Sequence, residues 1–114
     1  MHELGIVFYI IDDVKEAAAN AGATTVTRVT LDLGEVSGVV PELLQDAWKW
    51  AVKREPLMDE AVLEVVELPA VTLCESCGAE YGTVEHGKTC PECGSPATHL
   101  LRGREVMIRE IEAY

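Results

Sequence analysis

The four cysteines of the chain fall in two close pairs, Cys74-Glu75-Ser76-Cys77-Gly78 and Cys90-Pro91-Glu92-Cys93-Gly94. A two-residue gap lets both sulfurs of a pair turn toward one ion. The glycine that follows can adopt the positive φ that closes such a turn and aims backbone N–H groups at the thiolates. Twelve residues separate the pairs, enough for a short hairpin to bring them together. Four thiolates in a tetrahedron suit Zn²⁺, and rubredoxin-like iron centres use the same ligands. In a reducing compartment this pattern favours metal over disulfides. A dithiol redox centre needs only one pair, with a low-pKa attacking thiol beside a helix, and two knuckles in a loop-rich segment argue against it. A closed site at Cys74, Cys77, Cys90 and Cys93 has no open coordination position. It holds the fold together and does not itself explain a function.

A second donor set lies at the start of the chain, Met1-His2-Glu3. A bulky second residue blocks removal of the initiator methionine and leaves Met1 with a free α-amine. That amine, the His2 amide nitrogen and the His2 Nδ1 can close successive five- and six-membered chelate rings, and Glu3 can add an amide nitrogen or carboxylate. Planar, nitrogen-rich donation favours Ni(II) or Cu(II) over zinc. Taken alone, a histidine at position two is usually the mark of a plain solvated terminus, and the same default applies to His86 and His99 around the second knuckle. No Ser/His/Asp or Cys/His catalytic set can be assembled and no phosphate loop is present, so an enzyme has no residues behind it.

The elements that must carry these donors follow from hydrophobic periodicity. Leu4, Val7, Phe8, Ile11, Val14 and Ala18 recur at helical spacing and predict a first helix that stops near Gly22. From Thr25 to Leu33 the period becomes two, with Val29, Leu31 and Leu33 on one face and Arg28, Thr30 and Asp32 on the other, which predicts a strand. Gly34–Gly38 reads as a loop. Pro41 suits the first turn of a second helix whose core face is Leu44, Trp48 and Ala51, with Leu43, Ala47 and Trp50 alongside, and which must end before Pro56. Ala61–Leu68 and Val106–Glu112 predict two further strands whose imperfect alternation marks a bulge or a sheet edge.

Between them, from about Val71 to Leu101, the chain is rich in Cys, Gly and Thr and poor in periodic apolar residues. Such a segment cannot stabilise itself by burial and needs a staple. The expected fold class is therefore α+β: a three-stranded mixed sheet from segments near 25–33, 60–68 and 104–112, covered by two helices. A zinc ribbon at 70–101 is inserted into the domain formed by 1–69 and 102–114.

Composition narrows the partners. The 114 residues suffice for one ordinary domain, and 20 acidic against 9 basic residues give a formal charge of −11. That surface repels phosphate backbones, so no nucleic-acid partner is expected; it suits transient docking onto basic protein surfaces. No stretch approaches the roughly 20 apolar residues of a membrane helix. The first residues lack a basic n-region and Asp12-Asp13 interrupt the apolar run, so the expected location is cytoplasmic.

Taken together, Met1-His2-Glu3-Leu4, Gly34-Glu35-Val36-Ser37-Gly38 and the paired CxxC insertion resemble the HypA/HybF family of hydrogenase maturation nickel metallochaperones. The resemblance covers essentially the whole chain and its order of elements. It implies a nickel site at Met1, His2 and Glu3, with Ni(II) as cargo delivered to [NiFe]-hydrogenase or urease. It also implies structural Zn(II) on the four cysteines, a HypB-type GTPase and a hydrogenase large-subunit precursor as partners, and a monomer or weak homodimer. Two departures stand out. Some members follow each CxxC with His, where this chain has Gly78 and Gly94, which favours a plain Cys₄ site. Some place a carboxylate where this chain has Val40, which leaves Glu3 or backbone as the fourth nickel donor and Glu35 or Glu42 as outsiders. The rivals are a zinc-ribbon interaction module with an incidental amino terminus and a rubredoxin-like iron electron carrier.

Overall fold

The computed structural model describes residues 3–114. Among them are two three-stranded sheets and three helices, an α+β arrangement with the two long helices where periodicity placed them.

Helix α1 spans Glu3–Ala21 and buries Val7, Ile10, Ile11, Val14 and Ala18. Gly22 ends it at φ 70°, and the Ala23 N–H returns to the Ala18 carbonyl at 2.9 Å, the six-to-one bond of a Schellman stop. The buried stripe is rotated from the one expected. Ile10 joins the core, whereas Leu4 and Phe8 are 40% and 42% exposed.

Strand β1, Val26–Gly34, is the centre of the sheet, flanked by β2 (Val62–Leu68) and β6 (Val106–Ala113). Val29, Leu31 and Leu33 are buried as the alternation requires. Thr30 on the other face is buried too, because a central strand has neighbours on both sides. The remaining polar positions pair across the sheet. Arg28 reaches Glu64 on β2 and Glu112 on β6, and Asp32 meets Arg109 Nε at 2.7 Å. Such half-exposed pairs are each worth at most about 1 kcal/mol, and they act more to fix strand order than to hold the sheet. The two strands with broken alternation are both edges, where one face need not be covered.

Helix α2, Pro41–Val52, starts on proline at its first turn and buries Leu44, Trp48, Ala51 and Val52. Val40 offers no side-chain cap; instead a Glu3 carboxylate oxygen accepts the Val40 N–H at 3.2 Å. The Trp48 indole donates to the Ala61 carbonyl at 2.9 Å, so its ring is buried with its polar atom satisfied. Leu43 and Trp50, expected beside the core, are 52% and 46% exposed. Trp50 instead meets Phe8 edge-on at 6.4 Å, and the Arg54 guanidinium lies 3.9 Å over its ring.

The chain divides into two compact units. One is Leu33–Gly38 with Glu67–Val106, and the other described residues form the first. The second unit carries its own sheet, in the order β4 (Glu80–Gly82), β3 (Val71–Cys74), β5 (Thr98–Arg102), with both pairings antiparallel, and a short helix α3 at Thr83–His86. Its core is small: Cys74, Cys90 and Tyr81, with Ala79 packed against them.

The Gly34–Gly38 segment belongs to this unit and is more than a loop. Gly34 N–H donates to Glu105 O, Glu35 N–H to Leu68 O and Val36 N–H to Gly103 O, at 2.7–2.9 Å, and a Glu35 carboxylate oxygen accepts the Ala70 N–H at 2.9 Å. The segment thus clasps the strand that enters the ribbon to the strand that leaves it. Only glycine permits the approach, since a Cβ on Gly34 would overlap the Gly103 carbonyl.

Candidate metal centre

The two knuckles are built on one plan. Cys74 ends β3, its N–H bonded to Ala79 O and its carbonyl accepting the Gly78 N–H at 2.9 Å. Cys90 repeats this with Ser95 O and with the Gly94 N–H at 2.8 Å. Gly78 and Gly94 take φ of 78° and 72°, the left-handed turn that the sequence calls for after each second cysteine. Ser76 and Ser95 hydroxyls, 2.8 Å apart, tie one knuckle to the other.

All four sulfurs lie within 4.8 Å of one another, with Cys74–Cys93 and Cys77–Cys90 at 3.6 Å. A disulfide would need about 2.05 Å. A tetrahedral ion with metal–sulfur bonds of about 2.3 Å places its ligands roughly 3.8 Å apart, so the cluster is the size of a Cys₄ cage. Cys74 and Cys90 are buried while Cys77 and Cys93 face solvent.

Backbone donors prepare the cluster for a cation. The Cys77 N–H is the largest influence on the Cys74 sulfur. Helped by the Ser76 N–H and the Cys93 and Cys77 thiols, it outweighs desolvation and lowers the Cys74 thiol from 9.0 to about 6. The Ala79 N–H favours the Cys77 thiolate, but the Cys90, Cys93 and Cys74 sulfurs and desolvation prevail and push that thiol up to about 12. Cys93 is raised in the same way: the Ser95 N–H favours its thiolate, and the Cys74 sulfur and desolvation oppose it more strongly. Crowded thiols without a cation thus resist a second negative charge, which a bound divalent ion would supply the means to stabilise.

Only one of the expected nickel donors is among the described residues. Met1 and His2 lie outside the described residues, and Glu3 is the first residue of α1, with its carboxylate on the Val40 N–H. Of the outsiders, Glu35 is engaged in the clasp and Glu42 sits in the first turn of α2. His86 packs edge-on to Tyr81, and His99 Nδ1 lies 2.8 Å from a Glu75 oxygen. Sequence reasoning missed Tyr81, which covers the cysteines and donates to Gly87 O at 3.0 Å, and the Ser76–Ser95 link. Neither residue stands in a periodic pattern that would have revealed it.

Residues 1–113 match the family model for hydrogenase/urease nickel incorporation, metallochaperone, hypA. The chain belongs to the HypA family. It is 40% identical over 111 residues to the hydrogenase maturation factor HypA of Chlorobium phaeobacteroides strain BS1, covering 97% of each chain. It is 38% identical to that of Shewanella oneidensis, over 98% of this chain and 94% of the relative. The fold is shared with the solution structure of the Ni metallochaperone HypA from Helicobacter pylori at a TM-score of 0.74 and 23% identity, covering 99% of this chain and 97% of that one. The family is described as one of metallochaperones, and its curated relatives as maturation factors, not as enzymes. The cysteine cluster is compatible with a zinc site, and no helix among the described residues is long and apolar enough to cross a membrane.

Proposed function

We propose that this chain binds Ni(II) at its amino terminus and hands it to a [NiFe]-hydrogenase large-subunit precursor, or to urease, during maturation. The Met1 amine and the His2 amide and Nδ1 are the core donors, and Glu3 completes the set through its amide nitrogen or carboxylate. In the structure the Glu3 carboxylate is turned to the Val40 N–H, which favours the amide. Zn(II) on Cys74, Cys77, Cys90 and Cys93 supplies a structural cross-link only. A HypB-type GTPase is the partner in the transfer, which takes place in the cytoplasm, with the chaperone a monomer or weak homodimer.

The observation that carries this reading is the family match over residues 1–113, which includes the amino-terminal donors as well as both knuckles. A ribbon module with an incidental terminus would share only the cysteine segment with its relatives. The test is complementation: in cells lacking their own nickel chaperone, the native chain restores hydrogenase activity at limiting nickel and His2→Ala does not. Equal restoration by both would remove His2 from the transfer.

A further inference from the structure

The unit that carries the cysteines also contains a cavity of roughly 400 Å³, away from the sulfurs. It is lined by β3 and β5, by Thr83, Gly87 and Lys88 around α3, by Val36 of the clasp and by Arg104. In a chain with 20 acidic residues, no Asp or Glu lines it. Two cations do, Lys88 and Arg104, and among the described residues neither makes an ion pair; the neighbouring Arg102, by contrast, is drawn to Glu80 at 3.8 Å.

The hydroxyls agree with the charges. Thr72 is 3% exposed and its Oγ1 lies 2.6 Å from that of Thr83. Each hydroxyl carries one hydrogen, and the bond between them uses only one. The accepting hydroxyl therefore has a hydrogen left to donate into the cavity that both line. Thr98 Oγ1 donates to Lys88 O at 2.7 Å and fixes the backbone beneath the lysine. Val36 and Leu100 add an apolar wall.

We infer that this cavity binds an organic carboxylate, its anionic end held by Lys88, Arg104 and the Thr72–Thr83 hydroxyl pair and its apolar tail resting on Val36 and Leu100. A free organic acid and the carboxy-terminal end of a partner polypeptide offer the same chemistry. The site is independent of nickel at the amino terminus.

The test uses amide-resolved NMR of the full-length, metal-loaded protein. It is titrated with sodium acetate, with sodium hexanoate, and with a tetrapeptide ending in leucine as the free acid or as its amide. Saturable shifts at Thr72, Thr83, Lys88 and Arg104 are expected. Hexanoate should bind at least about fivefold more tightly than acetate, because its extra methylenes meet the apolar wall. Arg104→Gln should weaken binding at least about tenfold while the metal content is unchanged. If the peptide acid outcompetes hexanoate, the source is a partner chain; if hexanoate binds as well or better, it is a free acid. Unsaturable shifts for every probe, equal binding of the peptide acid and its amide with no hexanoate binding, or affinities indifferent to Arg104→Gln and Lys88→Gln would each overturn the assignment.

Discussion

Replacing Gly34 by alanine tests the clasp that closes the base of the ribbon. Gly34 does not sit at positive φ, so the backbone alone would accept alanine, and a reduced unfolded-state entropy would stabilise the protein by about 0.4–1 kcal/mol. The surroundings reverse the sign. The new methyl would overlap the Gly103 carbonyl and stand 2.8 Å from the Arg104 nitrogen, and these are backbone atoms that cannot swing aside. Forcing a methyl into packed surroundings costs about 1–3 kcal/mol. The displacement also strains the Gly34-to-Glu105 and Val36-to-Gly103 hydrogen bonds, at roughly 0.5–1.5 kcal/mol each. The expected net loss is about 1–5.5 kcal/mol, read as a lower midpoint in denaturation of the metal-loaded protein and as faster hydrogen exchange at the Val36 amide. Gly5→Ala is the control: nothing lies within 4 Å of its Cβ inside α1, so it should stabilise by about 0.5–1 kcal/mol. A Gly34→Ala protein as stable as the native one would refute the close approach.

Three further outcomes are expected. Cys74→Ala or Cys90→Ala should raise hydrogen exchange across β3, β4 and β5 while α1, α2 and β1 keep their protection, because the ribbon core holds little besides those sulfurs and Tyr81; full ribbon protection would remove the staple. Metal affinity of the cysteine cluster should fall with pH. Near pH 7 a metal must displace protons from the raised thiols of Cys77 and Cys93, and below about pH 6 it must displace the Cys74 proton too, so the dependence steepens there; an affinity flat from pH 8 to 5 would contradict this. If the charge of −11 steers docking, association with the GTPase proposed as partner should slow as salt rises while dissociation changes less, and an on-rate indifferent to ionic strength would exclude steering.

The long elements were legible because each buries a continuous stripe. Val29, Leu31 and Leu33 announce a strand, and Leu44, Trp48 and Ala51 a helix face. Periodicity does not say which of two adjacent apolar stripes turns inward. The helical spacing of Leu4 and Phe8 competes with that of Ile10, which is the residue buried, and Leu43 and Trp50 flank the core face of α2 yet face solvent. The strands of the ribbon were illegible for a different reason. Val71–Cys74 and Thr98–Arg102 pair through backbone hydrogen bonds around a cysteine cluster, with few alternating apolar side chains to mark them. The clasp joins Gly34 to residues near 103, and no local pattern reports so distant an approach. The knuckles were the reverse case, since spacing and the following glycine are enough to specify both turns.

The most direct test of nickel binding at the amino terminus is one calorimetric comparison of native, His2→Ala and amino-terminally extended protein, titrated with Ni(II). The α-amine and imidazole have reference pKa values of about 8 and 6.5 and must lose protons to bind, so the native affinity should weaken as pH falls through that range. His2→Ala removes the imidazole, and an extension converts the amine to an amide. Each should abolish most nickel binding while the fold and the zinc content stay unchanged. Equal nickel affinity in all three proteins would contradict the amino-terminal site.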